Sequence, residues 1–224
     1  MSVRIATIIG ATGLIGNHLL QMLQKDDYFT TVRVLVRRPF SHTNYKTEVK
    51  LVDFTDHESF KLGIDGSHTV FCTIGTTQQK VKGDKTAYRK IEYDIAVNAA
   101  KFCKETGCPN FLLVSSVGAN SDSNNFYLKL KGEIENAVKA INLLCISVFR
   151  PSMLLGIRKE KRTVEQIGQV AMQAFSFVLF GKFNKYKPIN AQEVAAAMLQ
   201  ISKKEIAGFS VYQYHDMKKV NGKE

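Results

Sequence analysis

Cysteine is sparse and scattered: the 224 residues hold four, Cys72, Cys103, Cys108 and Cys145. None forms a Cys-x-x-Cys pair, which argues against a zinc ribbon and against a disulfide-stapled scaffold. Cys72 and Cys145 sit in strand-like apolar runs, so they read as core thiols. That fits a reducing compartment, and the expected location is cytoplasmic. Long apolar runs are missing too. The longest, near Ala174 to Phe180, is far shorter than the roughly 20 residues a membrane span needs. The first residues read as a strand, so no cleavable signal is expected there. There is no long basic run and no basic–aromatic ladder, so nucleic acid is not an expected partner. His42, His57, His68 and His215 stand apart from acidic or cysteine partners at metal spacing, and no metal site is assigned. No nucleophile–histidine–carboxylate arrangement is visible. Linkers rich in Pro, Gly or Ser are lacking, as are internal repeats.

What is present is ordinary globular composition, 45% apolar and 23% charged. One domain over 1–224 is expected, with 151–224 contributing a small substrate-side lobe. The formal charge of +11, from 31 basic and 20 acidic residues, favours anionic ligands.

Gly10-Ala11-Thr12-Gly13-Leu14-Ile15-Gly16 follows the apolar run Ile5 to Ile9 and opens a segment, Leu14 to Leu23, with helical apolar spacing. Strand, glycine turn and helix form the context of a nucleotide-phosphate loop. Glycine lets the backbone approach a pyrophosphate, and the helix start offers free N–H groups to its charge. A glycine-rich turn without ligand is the plainer alternative.

The second strand, Thr31 to Val36, ends in Arg37-Arg38-Pro39. In a dinucleotide fold this is where the adenosine ribose lies. A carboxylate there suits the 2′-hydroxyl of NAD, and arginine suits the 2′-phosphate of NADP. Arg37 and Arg38 therefore point to NADP(H), with NAD(H) still open; solvated loop arginines are the other reading. Asp53 follows the third strand, Val49 to Val52, where it could meet the adenine or simply face water. Further strands are expected at Thr69–Thr73, Asn110–Ser115 and Leu144–Phe149. Helices are expected at His57–Leu62, Lys85–Thr106 and Phe126–Ala140. Gly75, after the fourth strand, would let the backbone pass the middle of a cofactor. The alternation predicts an α/β Rossmann-like fold, a doubly wound parallel sheet with helices on both faces. Past Pro151 come a helix at Thr163–Phe180, a short strand at Lys187–Ile189, a helix at Ala191–Ile201 and a strand at Phe209–Tyr214. Ala171 to Phe180 is a candidate interface for a homodimer or a protein partner.

Tyr127 and Lys131 are four residues apart, neighbours on a helix face, and Ser116 ends the strand before them. Ser, Tyr and Lys in this order can run hydride chemistry on a small carbonyl or alcohol substrate. Tyrosine exchanges the proton, serine bonds the same oxygen, and lysine holds the nicotinamide ribose and favours the phenolate. Bringing a tyrosine from near 10 to near 7 requires about 4 kcal/mol. One cation at about 4 Å supplies roughly that at an effective dielectric of about 20. Taken alone, the pair also reads as an exposed i,i+4 contact.

These motifs resemble the atypical and extended branches of the short-chain dehydrogenase/reductase superfamily. Ser115-Ser116-Val117-Gly118-Ala119, Tyr127 to Glu133, Val148-Phe149-Arg150-Pro151 and Gly75-Thr76-Thr77 are similar to its Tat-interacting-protein oxidoreductase-like group. The resemblance runs to about Leu155. It implies a Rossmann fold, NADP(H) binding, and Ser116 rather than Ser115 beside Tyr127 and Lys131 as the catalytic set. The asparagine that completes the proton relay in many members has no counterpart, since Asn98 lies too far along its helix. Two functions follow: an NADP(H)-dependent oxidoreductase, or a regulator that senses NADP(H) without turnover.

Overall fold

The computed structural model describes residues 3–40, 43–76, 79, 81–156 and 185–222. Seven strands form one parallel sheet in the order β3-β2-β1-β4-β5-β6-β9. They are β1 Ile5–Ile9, β2 Thr31–Val36, β3 Thr47–Leu51, β4 Thr69–Cys72, β5 Asn110–Val114, β6 Cys145–Phe149 and β9 Gly208–Tyr212. The central strands are buried from end to end (β4, β5 and β6 show no exposed residue), as a parallel sheet covered on both faces requires. The chain steps outward from β1 to β2 and β3, then returns to β4 on the other side. The switch point thus falls between β1 and β4, whose C-terminal ends frame the crevice where such sheets take ligands.

Helices cover both faces. Helices α2 (His57–Ile64), α4 (Ile95–Thr106) and α5 (Phe126–Ala140) enclose one apolar cluster with Phe60, Phe102, Phe111 and Ile134. Helices α1 (Leu14–Lys25), α6 (Ala191–Ser202) and α7 (Tyr214–Val220) enclose the other with Leu19, Phe29, Phe71 and Met198. Local signals fix the helix ends. The Asn125 side chain accepts from the N–H groups of Tyr127 and Leu128, so α5 begins where the sequence predicts. Gly107, at φ 75°, ends α4 in the left-handed conformation. The long helix predicted over Lys85–Thr106 is not uniform: α3 (Lys85–Arg89) passes through a π-helical turn, Lys90–Asp94, into α4.

The C-terminal part departs from the expected lobe. Strand β9 pairs in parallel with β6, and α6 packs in the same core as α1, so Ala191–Tyr212 completes the main layers. Two short strands, β7 (Leu154–Leu155) and β8 (Ile189–Asn190), pair apart from the sheet. The expected helix Thr163–Phe180 and its candidate interface lie outside the described residues. The last strand stops at Tyr212, and Tyr214 opens α7 through a capping box of Gln213 and Asp216. All four cysteines are free and buried. Among the described residues no helix is long and apolar enough to cross a membrane.

Candidate active site

The glycine turn closes tightly on the crevice. Gly10 has φ 92°, and a Cβ there would stand 2.8 Å from the Thr73 carbonyl carbon and 2.9 Å from the Ile74 nitrogen. Only glycine lets the ends of β1 and β4 come so close. Thr73 Oγ1 also donates to the Ile9 carbonyl at 3.0 Å, pinning the two strand ends together. Gly13 is the N-cap of α1; no side chain caps that end and no acidic residue occupies the first turn. The N–H groups there stay directed at the crevice mouth, with a dipole that favours an anion. Gly16 serves packing instead. Its Cβ would lie 2.2 Å from the Gly10 oxygen and 2.6 Å from Thr73 Oγ1. Ala11 and Ile15 are core side chains, so within Gly10–Gly16 the exposed parts are Thr12 and Gly13, with Leu14 half-buried. A cradle that admits no Cβ beside an uncapped helix start fits a dinucleotide pyrophosphate.

At the neighbouring strand ends, Arg37 and Asp53 line a shallow cavity of about 400 Å³ with Pro39, Leu51 and Val52. Arg37 and Arg38 are exposed and make no ion pair among the described residues. Arg38 is not in the lining. Asp53 accepts from Thr55 N at 2.8 Å and Thr55 Oγ1 at 2.7 Å, so it also caps its own turn. The Thr55 hydroxyl and backbone bonds hold its carboxyl below the usual range. Gly75 is exposed just beyond β4.

Just past the end of β5, the two serines part company. Ser115 is buried, and its hydroxyl bonds the Glu135 carboxylate. Arg150 Nε reaches that carboxylate at 3.0 and 3.1 Å, which ties the ends of β5 and β6 to α5. Ser116 is half-buried, and its hydroxyl has only a long bond to the Val117 carbonyl, 3.3 Å. Gly132 lets the following loop lie directly on α5: a Cβ there would be 2.2 Å from Ser121 N.

Lys131, expected at the nicotinamide ribose and beside the Tyr127 phenol, has a charged partner of its own. Its Nζ is 5.9 Å from the Tyr127 ring centroid and 2.6 Å from Glu92 Oε2. The adjacent carboxylate offsets much of the charge that the lysine could offer the phenol. Glu92 Oε1 accepts from Thr76 N at 2.6 Å, so the carboxylate bridges the lysine to the loop after β4. Lys131 and Glu92 are 6% and 2% exposed. Burial pulls the Lys131 ammonium down, but the Glu92 charge outweighs it and holds the group above its usual range. The sequence reading missed Glu92. No local signal marks it, because it meets Lys131 across 39 residues and from a π-helical turn.

The NAD(P)H-binding family matches residues 10–211 of this chain. The mitochondrial protein FMP52 of Debaryomyces hansenii is 35% identical over 204 residues, covering 88% of this chain and 87% of its own. Protein HTATIP2 of Rattus norvegicus is 33% identical over 167 residues, covering 72% and 67%. Among solved structures, the Bordetella bronchiseptica enzyme WbmH in complex with NAD+ superposes with a TM-score of 0.71 at 14% identity, covering 95% of this chain and 76% of that one. The last likeness establishes the fold. The cytoplasmic placement expected from the sequence is corrected here, because the FMP52 relatives from Debaryomyces hansenii and Saccharomyces cerevisiae are named as mitochondrial. Buried free thiols report a reducing environment, which does not distinguish the cytosol from an organelle. With its glycine cradle at the β1/β4 switch point, this chain belongs to the NAD(P)H-binding Rossmann family, in the atypical short-chain dehydrogenase/reductase group of FMP52 and HTATIP2.

Proposed function

We propose that the protein is an NADP(H)-dependent oxidoreductase of a small carbonyl or alcohol substrate. What supports this reading is that Ser116 follows the C-terminal end of β5, in the sheet whose switch point carries the glycine turn, and that Lys131 Nζ lies 5.9 Å from the Tyr127 ring centroid one turn along α5. Ser116 leaves the end of β5, while Tyr127 and Lys131 share one face of α5. When bound, the nicotinamide supplies or accepts a hydride. The chain's own residues handle the proton and the geometry. The Tyr127 phenol donates its proton to the substrate oxygen in the reducing direction and removes it in the other. Ser116 donates a hydrogen bond to the same oxygen. Lys131 bonds the nicotinamide ribose with a hydrogen not used by Glu92. The backbone of Gly10–Gly16 takes the pyrophosphate, Gly75 passes its middle, and Arg37, supported by Arg38, takes the 2′-phosphate. Asp53 edges the adenine. Among the described residues of 151–224, β7 and β8 are the candidate substrate-side part.

The regulator reading has one observation in its favour. The Lys131 charge is already engaged by Glu92, so less of it reaches the phenol. The names of the FMP52 relatives support work at mitochondria, which fractionation of cells expressing a tagged chain would test. The enzymatic reading is tested by NADPH oxidation over a panel of small aldehydes and ketones, with Tyr127→Phe alongside. Turnover that survives in the variant, with NADPH binding intact, would falsify the catalytic assignment.

A further inference from the structure

Lys131 is a buried ammonium whose nearest charge is a buried carboxylate from another part of the chain. Glu92 comes from the π-helical turn, 39 residues before Lys131, and its second oxygen holds the Thr76 N–H at 2.6 Å. The remaining titratable groups facing Lys131 are Tyr127 on α5, Tyr88 on α3 and the Cys72 thiol on β4. Glu92 supplies the anion that offsets the burial of this cation. The Tyr88 hydroxyl lies 3.4 Å from the Thr76 carbonyl, so α3 and the π turn grip the same short loop from both sides. That loop leaves β4 beside Gly10 and borders the crevice. A regular α-helical turn would advance Glu92 differently; the π turn gives it the reach to span helix and loop.

We propose that Glu92 is a positioning residue for the active site: its carboxylate pairs with Lys131, fixes its Nζ and locks it to the Thr76 loop. The proposal rests on the Ser116–Tyr127–Lys131 reading above. It assigns to an acidic side chain the anchoring that the absent relay asparagine leaves unfilled. Without the Glu92 charge, burial dominates, and Lys131 deprotonates within the working pH range. An unprotonated amine neither holds the ribose as strongly nor favours a phenolate.

The test is competitive amine labelling of the full-length protein with acetic anhydride near pH 8, read by peptide mass spectrometry against the exposed Lys129. Lys131 in the unsubstituted protein is protonated and labels slowly. Glu92→Gln keeps the shape, removes the charge, and should raise the Lys131 rate about tenfold or more. Glu92→Asp, which retains the charge, should bring it back down. Equal Lys131 rates in the unsubstituted protein and Glu92→Gln overturn the proposal. So does an equal rise in Arg89→Ala, which loses the neighbouring Arg89–Glu133 contact between α3 and α5 without touching the Lys131 charge. If Glu92→Gln does not fold, Glu92→Gln/Lys131→Met removes both charges; recovered folding supports the pairing, and continued misfolding refutes it. NADPH added to the same labelling separates the two layers. Protection of Lys131 supports its place at the cofactor, and a Glu92 effect without protection refutes that place while Glu92's hold on Lys131 stands.

Discussion

Replacing Gly16 by alanine tests the glycine cradle most sharply, because the added atom has nowhere to go. Its Cβ would stand 2.2 Å from the Gly10 carbonyl oxygen and 2.6 Å from Thr73 Oγ1. The first is backbone that cannot rotate aside, and the second is held by its bond to the Ile9 carbonyl. Relief requires α1 to move off the turn by several tenths of an ångström or more. Overpacking of this kind costs about 1–3 kcal/mol, and the rigidity of both neighbours favours the upper end. For a chain of this size, each kcal/mol lowers Tm by about 2–4 °C, so a loss of about 6–12 °C is expected. The same movement withdraws the first N–H groups of α1 from the crevice, and NADPH affinity should fall about tenfold or more. Gly75→Ala is the matched control: its Cβ would meet nothing nearer than Glu92 Oε1 at 3.8 Å, so Tm should stay within about 2 °C. Differential scanning fluorimetry gives both melting points, and NADPH fluorescence titration gives both affinities. A Gly16→Ala protein that melts with the unsubstituted one and binds NADPH equally well would refute the packing argument.

Further expectations follow from the same geometry. Arg37→Glu should weaken NADPH binding much more than NADH binding, and equal losses in titrations with the two would refute a 2′-phosphate contact. Glu48 is held below its usual 4.5: burial raises it, but the Arg33 bond and charge outweigh that. A depressed carboxyl adds stability that is present above its unfolded value and lost as pH falls through the folded one. Urea unfolding of Glu48→Gln should therefore show a shallower stability loss below about pH 4.5, by less than about 1 kcal/mol given the half-exposed side chain; an unchanged slope would contradict the pairing. Truncation after Arg158 removes α6 and β9 and uncovers the apolar face that α6 shares with α1, so the fragment should be insoluble or unfolded by circular dichroism.

The strands and the glycine turn were readable because their signals are local. β-branched runs such as Thr31–Val36 and the caps at Asn125 and Gly107 need no partner to be recognised. The parallel order also followed, since strands separated by helices leave few alternatives. Two features needed information that no short window holds. Glu92 meets Lys131 only through a π turn, and helical periodicity of 3.6 residues hides such a turn. Strand β9 joins the sheet after a long crossover, so Phe209–Tyr212 read as part of a separate lobe although it pairs with β6. The serines show an intermediate case. Just past β5, Ser115 turns to Glu135 while Ser116 is left half-buried with one long bond to the Val117 carbonyl, a distinction open to anyone who knew where the strand ended.

The most direct measurement of the central claim is isotope transfer. The protein is incubated with NADPH carrying deuterium at both nicotinamide C4 positions and with the small-carbonyl panel, and the alcohols formed are analysed by mass spectrometry. One or more deuterated alcohols are expected with the unsubstituted protein, and loss of that product in Tyr127→Phe despite retained NADPH binding. Tight NADPH binding with no deuterium in any product, or equal deuteration by Tyr127→Phe, would contradict the claim.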